Sequence, residues 1–195
     1  MDTTPTPTDS VRRLSPRALR WLKHFEQSPR GGFAATPYPD GAGHPTIGWG
    51  HVVGRRERFD VPIDAAAAEA LLRADLRVAE LYVDALAIEL DQHQFDALVL
   101  FAFNLGVGAL DRSTLLKRIR EAAPLTQIAR QFMRWVYLRN PLRQADGLKR
   151  RRAVEFLIYA GRDDAYIDRA NAALVRIAAA GIIGAGDLSA AMGLA

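Results

Sequence analysis

The stretch Tyr38-Pro39-Asp40-Gly41-Ala42-Gly43-His44-Pro45-Thr46-Ile47-Gly48-Trp49-Gly50-His51 decides how this chain is read. Tyr38-Pro39-Asp40-Gly41 is a turn signal, because proline presets its own φ and aspartate bonds readily to the backbone just ahead of it. Thr46 to His51 interleaves β-formers with glycines. Together they predict a small antiparallel β-sheet with tight turns between Phe33 and Val53. Upstream, Ser15-Pro16 is an N-cap followed by proline at the first helical position. Leu19, Leu22, Phe25 and Glu26 then follow helical spacing, which predicts a helix over about 16–27, stopped by Ser28-Pro29-Arg30-Gly31-Gly32.

Downstream of Pro62 the pattern turns helical. Asp64 is placed to cap a long helix, and Asp91 with Gln94 forms a capping box for a second. That second helix, from Phe95 through Leu105, is apolar on most faces and reads as a buried core helix. Ser113 caps a short helix, and further helices fit 124–136 and 146–160, separated by Asn140-Pro141. The class is α+β, mostly helical. Residues 1–14 read as a flexible lead. In the tail, Asp164 is placed to cap a helix ending at Gly181, and Asp187 a last turn. That tail either packs on the main domain or serves as a docking or membrane-contacting appendage.

Glu26 at a helix end and Asp40 in a turn bring two carboxylates from different elements into one region. Such a pair can flank a glycosidic bond, one protonated as general acid and the other helping to activate a nucleophile. The Thr46 hydroxyl can hold a water in line, and the glycines leave a bare strand surface for a polymer. Spacing alone leaves this weak.

The residue identities carry more. Glu26, Tyr38-Pro39-Asp40 and Gly43-His44-Pro45-Thr46-Ile47-Gly48-Trp49-Gly50-His51 resemble the phage-type lysozymes, the endolysins of glycoside hydrolase family twenty-four. Gln94-Phe95-Asp96-Ala97-Leu98 and Phe101 to Gly108 resemble that family's core helix, and Ser113-Thr114-Leu115-Leu116 its next helix start. Trp135, Gly147-Leu148 and Arg151-Arg152-Ala153-Val154-Glu155 resemble its closing helix. The resemblance implies a two-lobed lysozyme fold, with a small antiparallel β-sheet in the N-terminal lobe and a helical C-terminal lobe. It divides the chain into a lysozyme domain over 15–162 and a helical extension over 163–195. Within the domain fall a β-containing lobe at about 15–62, a connecting helix at about 64–88 and a helical lobe at about 91–162. It implies cleavage of the β-1,4 bond between N-acetylmuramic acid and N-acetylglucosamine. Glu26 would be the general acid, with Asp40 and Thr46 positioning water in an inverting reaction, which needs carboxyls about 6.5–9.5 Å apart. Val52, Phe103 and Ser113 match substrate-binding positions. Tyr38, Gly48, Gly50, His51 and Asn104 match structural ones beside the site. One departure stands out: 13 residues separate Glu26 from Asp40 where the family usually has eight. The extra ones, around Gly31 to Pro37, are expected in an enlarged first hairpin or loop at the cleft mouth.

Several residues keep two readings. His51 is a hydrogen-bonded structural histidine near Glu26, or else a base. Asn104 is a structural amide or orients a cleft group, and Trp135 packs in the core or stacks on sugar. Arg151 and Arg152 cap or bridge within the domain rather than bind substrate. The four histidines have no paired ligand spacing, so neither metal nor cofactor is expected.

Charge and composition set the outer bounds. The 195 residues carry a net charge of +4 and no cysteine, which excludes a disulfide scaffold and a thiol nucleophile. Between Arg112 and Arg152 twelve Lys or Arg face two acids, a net of +10 that suits attraction to an anionic wall polymer. Nothing reads as a groove-reading module, so nucleic acid is not expected as a partner. Nor does any segment read as a membrane anchor or secretory signal. The expectation is therefore a monomer made in the host cytoplasm. It would reach peptidoglycan in the periplasm or cell wall after a holin or similar partner opens the membrane. Alternatives are a lytic transglycosylase, a secretion-system or tail-associated lysozyme toxin, and a non-catalytic wall-binding protein. Retention of Asp40 and Thr46 argues against the first, which needs no external water.

Overall fold

The structure is a computed structural model, and it describes residues 11–139, 142–181 and 183–194. Helix α1 (Pro16–Phe25) starts where Ser15 sits, its Oγ accepting from the Ala18 N–H at 3.2 Å. It ends earlier than expected. Glu26 is its C-cap, and Ser28 N–H donates to Gly32 O at 2.8 Å to close a loop in which Gly31 and Gly32 have φ of 83° and 59°. Left-handed backbone of that kind suits glycine.

The expected sheet is present. Strands β1 (Ala34–Pro39), β2 (Pro45–Gly48) and β3 (His51–Val52) run antiparallel in that spatial order. Tyr38 faces Thr46 across one ladder, and Thr46 faces Val52 across the other. The register shifts between Ala34 and Tyr38. The residues expected as an insertion thus lie in the loop before β1 and in the irregular part of that strand.

Helix α2 (Ala65–Asp84) is capped by Asp64, whose Oδ1 accepts from Ala67 N–H at 2.8 Å, and stops short of residue 88. It touches the sheet on one side and α3 (Gln92–Leu105) on the other. The sheet comes close to it at Gly48, where a Cβ would lie 3.6 Å from the Ala68 backbone. In α3 every residue from Phe95 to Ala102 is buried, and the helices around it share one apolar core. Burying the whole circumference of a helix is what its nearly unbroken apolar run requires. The run ends at Leu105, as expected, and Gly106, at φ 86°, separates it from a short helix α4 (Val107–Asp111).

Ser113 caps α5 (Thr114–Arg120), accepting from Leu116 N–H at 3.0 Å. Helix α6 (Leu125–Phe132) ends before the expected 136. A hairpin of β4 (Tyr137–Arg139) and β5 (Leu142–Gln144) follows, which the sequence reading lacked, and Asn140-Pro141 between them lie outside the described residues. Strands of three residues are too short to show a period. Helix α7 (Asp146–Tyr159) then runs through the core.

Three further expectations change. Helix α1 buries Ala18, Leu19, Trp21 and Leu22 in the helical core, although it was assigned to the β-containing lobe. The end of the lead is anchored: Leu14 is buried, its N–H donates to Glu80 Oε1 at 2.9 Å, and Arg12 donates to Leu90 O at 2.8 Å. The tail helix α8 (Asp164–Ala180) is capped by Asp163, not Asp164, through Tyr166 N–H at 2.7 Å. It ends at Gly181, and α9 (Ala185–Met192) follows, with Asp187 accepting from Gly184 N–H at 2.8 Å. Ile167, Leu174, Ile183, Leu188 and Met192 from this tail are buried.

Candidate active site

Glu26 is delivered by the last turn of α1, and its side chain is 21% exposed. One carboxylate oxygen, Oε1, accepts from Arg151 Nη1 at 2.6 Å. The other, Oε2, faces Gly50, where a Cβ would lie 3.6 Å away. Gly50 is at φ 90°, so its bare backbone leaves one face of the carboxyl open. Sequence reasoning missed the Arg151 contact, which reaches across 125 positions.

Behind Arg151 lies a buried charge cluster. Arg151 Nε donates to Glu155 Oε1 at 3.2 Å, and Arg152 Nη1 lies 2.8 Å from Glu155 Oε2. Arg152 also donates through Nη2 to Asn104 Oδ1, which gives Asn104 the structural reading. Its guanidinium lies over the Phe101 ring and that of Arg151 over Phe25. Arg152 and Glu155 have no exposed side-chain surface. Burial pulls Arg152 down to about 10, so it stays charged at neutral pH. Burial pushes Glu155 up, and the two guanidiniums pull it back. The sequence carries a faint signal of this: three charges at helical spacing inside a run of Ala153, Val154, Phe156, Leu157 and Ile158.

Asp40 is fixed by its own turn. Its Oδ1 accepts from the N–H groups of Ala42 and His44, each at 2.8 Å. The His44 backbone bond is the main reason its carboxyl titrates below the usual carboxylate range; partial burial opposes it, and the Ala42 bond and the His44 ring support it. The turn thereby favours the ionised form of Asp40. Thr46 connects to the same turn, its Oγ1 donating to His44 O at 3.2 Å. Thr46 is 3% exposed on the central strand.

The remaining predicted residues divide by location. Tyr38, Gly48, Gly50 and Val52 belong to the sheet region, and Val52 is exposed beside Thr46. His51 does not bond to Glu26: Nδ1 lies 2.9 Å from Asp75 Oδ2 and Nε2 3.0 Å from Glu57 Oε2, which ties β3 to α2. Burial alone would lower its pKa, but the bonds to Asp75 and Glu57 outweigh it and raise it. Phe103 lies on α3 next to Asn104, partly buried against the core. Ser113 is buried, and its hydroxyl is taken up by donating to Leu110 O at 2.7 Å and by capping α5, so the structure gives it a capping role. Trp135 packs edge-on to Phe101 at 5.5 Å. The +10 segment is less of a surface than its count implies, because Lys149, Arg151 and Arg152 are buried. Among the described residues no cluster of His, Asp and Glu is arranged to hold a metal.

The chain is 34% identical over 151 residues to an endolysin of Bacillus phage PZA, covering 75% of this chain and 55% of that protein. It spans about half the length of the first curated relatives it matches. Among solved structures, the endolysin from Escherichia coli O157:H7 phage FAHEc1 superposes with a TM-score of 0.67 at 31% identity, covering 76% of this chain and 93% of that one. The muramidase domain of SpmX from Asticaccaulis excentricus gives a TM-score of 0.65 at 31% identity, covering 76% and 97%. Residues 29–155 match the family described as phage lysozyme, a span that begins just after Glu26 and takes in Asp40, Thr46, Arg151 and Glu155. With about two thirds of its length in that match, the chain belongs to the phage lysozyme family.

Proposed function

We propose that this chain is a peptidoglycan hydrolase that cleaves the β-1,4 bond between N-acetylmuramic acid and N-acetylglucosamine. The reading rests on two carboxyls held differently: Glu26 has Oε1 on Arg151 and Oε2 facing Gly50, while Asp40 accepts two backbone N–H bonds within its own turn. Glu26 protonates the departing glycosidic oxygen. Asp40, with Thr46 attached to the same turn, orients the attacking water and offsets the positive charge of the transition state. Arg151 holds Oε1, so that proton delivery falls to Oε2. Val52 and Phe103 contribute sugar contacts. The substrate is anionic wall glycan, met by a monomer made in the host cytoplasm and released by a membrane-permeabilising partner such as a holin. Among the described residues no helix is long and apolar enough to cross a membrane.

Muropeptide digestion tests bond and mechanism together. Wild type should release reducing N-acetylmuramic acid ends from purified sacculi. Glu26→Gln should lose at least about a thousandfold in rate and Asp40→Asn about a hundredfold or more, with both proteins folded. Anhydro-ended products, lighter by one water, would move the assignment to a lytic transglycosylase. An undiminished rate in Glu26→Gln would sink it.

A further inference from the structure

The tail helix α8 lies beyond the span shared with the family, yet it grips both helices that build the Glu26–Arg151 pair. Along α1 its contacts fall on one face and climb towards Glu26. Arg17 meets Asp164 at 2.5 Å and the carbonyl of Arg162; Arg20 meets Asp168 at 3.1 Å; His24 Nε2 lies 3.5 Å from Asn171 Nδ2. On α7, Arg150 donates to Asn171 Oδ1 through Nε and Nη2, each at 3.2 Å. Arg150 is the residue before Arg151, and His24 lies two residues before Glu26. Exposed ion pairs such as those of Arg17 and Arg20 contribute little. Asn171 is different, because it is 8% exposed and its amide joins the two helices through a charge-assisted bond.

We propose that Asn171 is a positioning residue, bridging Arg150 of α7 to His24 of α1 so that Arg151 meets Glu26 at bonding distance. The groups facing His24 fit this role: Arg20 on its own helix, Arg150 on α7, and Asp168 and Asn171 on α8. Burial, then Arg150 and Arg20, lower the His24 pKa, with Asp168 opposing. A lowered pKa favours the neutral ring, and with its proton on Nδ1 the Nε2 atom accepts from the Asn171 and Arg150 N–H groups, each at 3.5 Å. On the other side of the contact, Lys149 donates to Ile183 O at 2.7 Å, so the tail holds α7 at two successive residues. The kinetic part of the proposal rests on the hydrolase reading above; the geometric part does not.

The test uses the full chain. Asn171→Leu keeps the side chain's approximate volume and removes both polar contacts. Its Arg151 guanidinium 15N–1H resonances should shift or broaden relative to wild type. Its kcat on soluble glycan strands should fall about tenfold with KM within about twofold, as expected when a remote change misplaces a reacting group. Asn171→Asp, which still accepts from Arg150 but has no N–H for His24, should restore both readouts only in part; full restoration would show that the His24 arm of the bridge is not needed and overturn it. Should Asn171→Leu fail to fold, Arg150→Gln, at a half-buried position, carries the same two measurements. Unchanged Arg151 resonances in a folded variant overturn the proposal, and so does an unchanged kcat when the resonances move. A wild type with no lytic activity overturns the proposed function alone, because the resonance measurement needs no substrate.

Discussion

Replacing Glu155 by alanine should destabilise this protein more than any surface change, and the size of the loss follows from its surroundings. Its carboxylate is fully enclosed, 3.2 Å from Arg151 and 2.8 Å from Arg152. Removing it leaves two guanidiniums in a site with no solvent. Arg152 would then keep the Asn104 amide oxygen and the Phe101 ring, and Arg151 the carboxylate of Glu26 and the Phe25 ring. Breaking a buried pair by removing one partner costs about 3–5 kcal/mol. For a chain of this length each kcal/mol moves Tm by about 2–4 °C, so Glu155→Ala should melt roughly 6–20 °C lower. Circular dichroism melts at pH 7, with urea midpoints as a second measure, read this directly. The companion double variant Arg152→Met/Glu155→Leu leaves one unpaired charge fewer and should regain at least half of the loss. A Glu155→Ala protein melting within about 3 °C of wild type, at an expectation of 2–4 °C per kcal/mol, would refute the claim that the cluster is held by mutual charge compensation.

Two further outcomes follow from the site. His51 has its folded pKa raised above 6.5 by Asp75 and Glu57, so the stability it contributes is complete below pH 6.5 and is lost as pH rises through the folded value; His51→Asn should flatten the stability–pH curve above pH 6.5, and an unchanged slope there would assign the dependence elsewhere. Gly50→Ala would force a side chain into φ 90° at a cost of about 1–2 kcal/mol and set a methyl 3.6 Å from Glu26 Oε2. That variant should fold, with a modestly lower urea midpoint, and lose activity out of proportion to its stability; full activity would mean that Oε2 is not the oxygen that delivers the proton.

Much of the local architecture was readable from neighbouring residues. Ser15, Asp64, Asp91 with Gln94, and Ser113 each mark a helix start, because capping is an exchange between a side chain and N–H groups two or three residues on. The turn at Asp40 and the sheet around Thr46 were legible for the same reason. The hairpin at Tyr137–Gln144 was not, since strands of three residues carry no period. The misplaced cap at Asp163 shows a related limit: of two adjacent aspartates, backbone geometry selects one.

The class of fold, the family resemblance and the candidates Glu26, Asp40 and Thr46 are written in contiguous residues, because motifs and caps are local. What each of them faces depends on how distant helices pack. Arg151 reaches Glu26 from 125 positions away, and His51 pairs with Asp75 and Glu57. Three of the basic residues counted as surface charge lie in the interior. The tail, ambiguous as a sequence, packs against α1 and α7 through Asn171 and its apolar face. The physical reason is common to all of these. A charged or amide side chain reads the same in sequence whether water or a buried partner satisfies it, and only the packing of distant helices settles which.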